Sequence, residues 1–189
     1  MGTMTHPALT DIAARLSVDL DAAFDAYVRA TIDGIFTGAL RMLGDRHDAE
    51  DVVQDTYSRA YQALQGYEPA RIRELSVAGW TWTIAANLCR NRLRSRARKP
   101  TAPLGDRDRV DDAIGPEEEA LSLIGTALRD AILDLPFPQR AAIVMRHVLD
   151  LSYDEISTAL DRPTGTVKSD VSRGLTRLRT AHPDLEDLR

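Results

Sequence analysis

Cysteine is nearly absent from this chain. Its 189 residues contain one, Cys89, which excludes an internal disulfide and a cysteine-rich zinc site. Histidine is sparse as well. His47 and His147 stand alone, without companions at metal-ligand spacing, so neither a metal nor another cofactor is expected. Glycine and proline are thinly spread and strand-like alternation is scarce, which leaves an all-α fold. No uninterrupted apolar run reaches the length of a membrane span. The opening residues, MGTMTHPALTDIAARLS, lack the charged lead and apolar block of a secretory signal. The expectation is a cytoplasmic protein without membrane insertion. Hydrophobic residues make up 43% of the chain, too many for a disordered polymer. The length suits one domain or two small ones.

What is present is segregated charge. The net charge of −5 by itself argues against nucleic acid. Yet residues 87–99 carry Arg90, Arg92, Arg94, Arg96, Arg98 and Lys99 with no acid, while residues 44–55 carry Asp45, Asp48, Glu50, Asp51 and Asp55 against Arg46 alone. Binding responds to local fields rather than to the sum. The chain offers a basic surface to one partner and an acidic surface to another.

Periodicity predicts helices over 17–43, 48–64, 77–96, 117–134 and 138–149, then two more. Residues 1–16 read as a tail, 65–76 as a loop, 99–116 as an extended, mobile linker and 183–189 as a frayed end. Gly34 and Gly38, four apart, suit close approach of a neighbouring helix. In the helix from 77 the inner face reads as Trp80, Ile84, Leu88 and Leu93. Cys89 reads as a small half-buried side chain; a redox thiol activated by Arg90 is the weaker alternative.

The most informative stretch is LSYDEISTALDRPTGTVKSDVSRGLTRLR, residues 151–179. Ser152 and Glu155 form a capping box. Ile156, Ala159 and Leu160 give the helix an apolar face, and Asp161-Arg162-Pro163 ends it. Thr164 can cap a second helix whose apolar face is Val167, Val171, Gly174, Leu175 and Leu178. Lys168, Ser169, Ser172, Arg173 and Arg177 are left facing outward, toward phosphates and base edges. This is the pattern of a DNA-binding helix-turn-helix.

Two separated segments resemble one family. DAEDVVQDTYSRAYQAL with GWTWTIAANLCRNRLRSRARK is similar to the second conserved region of bacterial sigma factors. LPFPQRAAIVMRHVLDLSYDEISTALDRPTGTVKSDVSRGLTRLR is similar to the fourth. The short length and bare linker resemble the extracytoplasmic-function (ECF) group. The resemblance implies two small helical domains. One is a region 2 bundle of three to four helices, over 17–98. The other is a region 4 helix-turn-helix domain, over 117–182. It further implies a transcription initiation factor that catalyses no reaction. Such a factor binds core RNA polymerase through the largest subunit's clamp helices and the flap, reads promoter DNA at its −10 and −35 elements, and is commonly restrained by an anti-sigma protein.

Site residues carry over position by position. Asp51, Gln54 and Asp55 match the D-x-x-Q-E face that docks on the clamp helices, with Asp55 replacing the usual glutamate. The −10 candidates are Trp82, Asn87, Arg90, Asn91 and Arg94. Asn87 matches W-x-x-x-I-A-x-N, whereas Trp82 stays open between packing and contact with the unpaired strand. The −35 candidates are Arg146, Thr166, Lys168, Ser169, Asp170, Ser172, Arg173 and Arg177. Asp170 and Leu175 depart from commonly basic positions. Asp170 either accepts from a cytosine amine or, as the favoured reading, holds Arg173 or Lys168. Two other function classes compete: a stand-alone dimeric helix-turn-helix regulator, and a metal enzyme built on Asp48, Asp51 and Asp55. Neither explains the basic helix and the acidic face together.

Overall fold

A computed structural model describes residues 7–98 and 116–181; side-chain surroundings are described for 11–98 and 125–181. Every regular element among them is helical. The first domain holds α1 (Pro7–Val18), α2 (Leu20–Leu43), α3 (Arg46–Gln65), α4 (Pro69–Arg73) and α5 (Val77–Arg98). The second holds α6 (Pro116–Asp134), α7 (Phe137–Ile143), a π-helical turn over Val144–Val148, α8 (Tyr153–Leu160) and α9 (Thr164–Ala181).

Local chemistry sets the boundaries. Asp19 caps α2 by accepting from the Ala22 N–H at 3.0 Å, and Asp45 caps α3 by accepting from Asp48 at 2.9 Å. Gly44 ends α2 in the left-handed region, at φ 69°, and its N–H reaches the Leu40 carbonyl. The Ser152–Glu155 capping box is complete, each side chain bonding the other's backbone N–H. Thr164 does not serve as the next cap: it lies inside α9 and its hydroxyl bonds Asp154.

Three expectations change. The tail expected over 1–16 is helical from Pro7. Its Ile12, Ala13 and Leu16 are buried, each large one worth about 1.5–3 kcal/mol of apolar transfer. The loop expected over 65–76 contains α4, with Pro69 in its first turn and Ile72 in the core. The single helix expected over 138–149 is split into α7 and the π turn. The linker of 99–116 and the tail of 183–189 lie outside the described residues, except that Pro116 opens α6.

Aromatic and hydroxyl groups hold the first domain together. Tyr27 is fully buried and its hydroxyl meets Thr81 Oγ1 at 2.8 Å, while Thr31 joins Tyr57 at 2.8 Å. Burial pushes both phenol pKa values up, that of Tyr57 to about 12. Trp82, expected to pack or touch DNA, lies in the core. Trp80, expected inside, is half-exposed beside Tyr67. Gly38 receives the Trp82 ring: a Cβ there would sit 2.3 Å from Cη2. Gly34 has open space. The two domains pack against each other through α5 and α8 and through α2 with α6, α7 and the π turn.

Candidate functional site

The acidic face lies on α3. Asp51 and Gln54 are exposed and Asp55 is half-exposed, one helical turn apart, so the sequence-derived trio shares one surface. A feature missed from sequence backs it. Arg92 of α5 reaches across with Nη1 2.9 Å from Asp48 and 2.7 Å from Asp51, and Nη2 3.7 Å from Asp55. Arg96 bonds Asp48, lies 3.4 Å from Asp45 and donates to the Leu43 carbonyl. Burial by itself would lower the Arg92 pKa, but the hydrogen bonds and charges of Asp51 and Asp48 outweigh it and raise it. The guanidinium supplies between these acids the positive charge that a cation would bring.

The basic run of residues 87–99 is thereby divided. At 100° per residue, Arg92 and Arg96 face α3 while Asn87, Asn91 and Arg94 share the opposite, exposed face of α5. Arg90 turns to a third side. It lies 5.6 Å from the Phe137 ring of α7 and donates to Asn87 Oδ1 at 2.9 Å. So Asn87, Asn91 and Arg94 come together, Arg90 stands at their margin, and Trp82 is separated from them by burial. Beside this face, Arg71 stacks 3.7 Å from the Tyr67 ring, which meets Trp80 edge-on. Sequence reading missed this cluster because its members come from a loop, α4 and α5.

Cys89 is completely buried on the inner side of α5, and desolvation pushes its pKa up to about 12. This environment keeps the thiol protonated, contrary to what redox sensing needs.

On α9, Lys168, Ser169, Ser172 and Arg173 are exposed and Thr166 is half-exposed. Three of the sequence-derived −35 candidates are placed differently. Arg177 is exposed one turn beyond Arg173 and lies half a turn around the helix from Lys168. It borders an apolar groove with Ala131, Leu135 and Leu178, away from Lys168. Arg146 caps the turn before α8, donating to the Leu151 carbonyl at 3.0 Å, and its guanidinium lies over the Tyr153 ring. Lys168 approaches the same ring at 5.5 Å. Tyr153, not singled out from sequence, therefore spaces two cations by cation–π attraction.

Asp170 is the third. It is only 5% exposed and pairs with Arg162 at 2.7 Å, not with Lys168 or Arg173. The contact is ionic, short of an aligned hydrogen bond. It ties the turn between α8 and α9 to α9 itself. Replacing Asp170 with alanine leaves Arg162 unmatched and should cost the domain about 1–3 kcal/mol. Thermal unfolding measures this; an unchanged midpoint with altered promoter preference would return Asp170 to base reading.

No helix among the described residues is long and apolar enough to cross a membrane. The Sigma-70 region 2 family profile matches residues 27–99, and Sigma-70, region 4 matches 125–178. ECF RNA polymerase sigma factor SigE of Mycolicibacterium smegmatis is 36% identical over 94% of this chain and 66% of its own length. SigW of Bacillus subtilis, also an ECF RNA polymerase sigma factor, is 33% identical over 86% of this chain and 90% of its own. Among solved structures, CnrH in complex with the cytosolic domain of CnrY aligns at TM-score 0.67 and 21% identity. That alignment covers 93% of this chain and 97% of the other. The sigma factor RpoE of Bartonella quintana, solved with the anti-sigma factor NepR, aligns at TM-score 0.60 and 21% identity, covering 86% and 95%. With both conserved regions present in order on an all-helical fold, the chain belongs to the extracytoplasmic-function sigma factors of bacterial RNA polymerase.

Proposed function

We propose that this chain joins core RNA polymerase through Asp51, Gln54 and Asp55 and carries it to promoters. On this reading Asn87, Asn91 and Arg94 of α5 engage the −10 element and Lys168, Ser169, Ser172 and Arg173 of α9 engage the −35 element. It acts by binding in the cytoplasm, as a specificity subunit rather than a catalyst. The observation that carries this reading is the sorting of α5 into two polar faces. One is neutralised against the acids of α3, and the other is left open with arginine and asparagine side chains that suit phosphates and unpaired bases.

CnrH and RpoE were each solved with a second protein, in RpoE's case an anti-sigma factor. Restraint by an anti-sigma protein is accordingly part of the proposal. In-vitro transcription with purified core polymerase over a genomic promoter library tests it. Transcripts starting downstream of a shared pair of elements are expected; no stimulation above core alone would overturn the reading.

Lys168 and Arg173 flank the exposed face of α9. Alanine at either position should lower promoter affinity. A base-reading side chain costs about 1–3 kcal/mol and relaxes specificity, whereas a phosphate contact reduces the salt slope by about one. Titrations at several salt concentrations separate the two. Equal affinity at every salt would remove that residue from the interface.

A further inference from the structure

The first helix serves neither the polymerase face nor the two promoter faces. Its residues read from sequence as a tail, yet α1 buries Ile12, Ala13 and Leu16 and packs on α2, α4 and α5. Ser17 is buried beside them, its hydroxyl satisfied by the Ala14 carbonyl at 2.6 Å.

What α1 covers is chiefly α4, and α4 has little else to hold it. At five residues it is far shorter than helices that persist alone in water. No side chain caps its start. Ile72, 4% exposed, is its one buried side chain, set between exposed Arg71 and Arg73. Of all the helices, α1 packs most extensively against it.

This short helix forms one edge of the promoter-facing surface. Arg71 stacks 3.7 Å from the Tyr67 ring, and Tyr67 meets Trp80 edge-on at 6.1 Å. Trp80 precedes Asn87 by roughly two full turns of α5, so it prolongs the line of Asn87, Asn91 and Arg94 toward the start of that helix. The surface is therefore built from two elements. The long helix α5 is fixed by its packing on α2 and α3, whereas α4 is fixed by α1. A shift of α4 moves Arg71 against Trp80 and leaves Asn87 and Arg94 where they are. Aromatic rings and arginine planes are the groups on which unpaired bases stack, so such a shift alters which bases fit.

We propose that α1 is a positioning element for the −10 site: by covering Ile72 it fixes α4, and with it the Tyr67–Arg71 pair, against Trp80 and the Asn87 face. The proposal rests on the promoter-binding function above and gives α1 a part in its specificity.

Ile12→Ala in the full chain tests it, with Ile12→Val as the conservative variant. The Ile72 N–H bonds the Glu68 carbonyl at 3.1 Å and the Glu74 N–H bonds that of Ala70 at 3.3 Å. In the free protein Ile12→Ala should speed hydrogen exchange at these two amides at least tenfold, with the amides of α3 and α9 unchanged. With core polymerase, discrimination among promoters carrying substituted −10 elements should fall at least threefold. Discrimination at the −35 element and affinity for core should stay as in the wild type. Ile12→Val should restore both readouts. A helix that merely stabilises the domain would lower −10 discrimination, −35 discrimination and core affinity together. That outcome, or unchanged exchange in α4, would overturn the proposal.

Ile72→Ala approaches the same contact from the α4 side and serves where Ile12→Ala does not fold. It should reproduce the loss of −10 discrimination, and the double variant should lose no more than either single one. Losses that multiply in the double variant would separate α1 from α4 and sink the idea. Hydrogen exchange needs neither polymerase nor DNA. A wild-type chain inactive with core would thus defeat the proposed function, while the hold of α1 on α4 would still be judged in the free protein.

Discussion

Replacing Trp82 with alanine is expected to cost about 3–5 kcal/mol of stability, the usual range for emptying a buried aromatic site. The side chain is 4% exposed and its ring fills the space over Gly38, so little can collapse into the void. The midpoint of thermal unfolding should fall by more than about 10 °C. A residue serving mainly to touch the unpaired promoter strand would behave differently: unfolding would be unaffected and only DNA binding would weaken. Trp80 provides the contrast. It is half-exposed beside Tyr67 and Arg71, so Trp80→Ala should cost far less stability.

The two tryptophans show how far the sequence could be read. They are two residues apart, which is 200° on a helix, so only one can lie at the centre of a given face. Reading α5 as having one apolar stripe placed Trp80 inside. The helix is instead covered on one side by α2 and α3 and on another by α8, and a single stripe cannot describe two contacts. Features that depend on a few neighbouring residues were legible: the Ser152–Glu155 box and the Gly44 stop are chemistry within one turn. Features joining distant segments were not. Arg92 and Arg96 read as part of a DNA-facing basic run, but their partners lie about forty to fifty residues earlier on α3. Asp170 looked like a departure in a DNA-reading motif. Its burial against Arg162 becomes visible only when the turn between α8 and α9 is closed. The pair Gly34 and Gly38 suits approach of a helix, but only Gly38 is approached, and by the Trp82 and Leu149 side chains, which follows only from the fold.

The joint variant Gln54→Ala with Asp55→Ala is expected to weaken core polymerase binding by roughly 30- to 1000-fold, about 2–4 kcal/mol, if this face forms the polar centre of the contact. Its effect on folding should be small. Gln54 is exposed, and the 3.7 Å approach of Arg92 to Asp55 is the longest of that arginine's three acid contacts. Asp51→Ala is less clean, because it removes the 2.7 Å partner of Arg92 and so should lose some stability along with affinity. A charge-matched control separates a specific face from net charge. Asp25 sits in an exposed pair with Arg29 on α2, and its loss changes the overall charge as Asp55→Ala does. If Asp25→Ala weakened core binding as much as the joint variant, affinity would be tracking total charge and the α3 face would lose its special role. If only the α3 variant binds poorly, and its affinity loses part of its salt dependence, the contact is local and charge-assisted. Arg92 then has a second function. By pairing with Asp48 and Asp51 while leaving Gln54 exposed, it offsets the repulsion among the four carboxylates that lie within one stretch of α3.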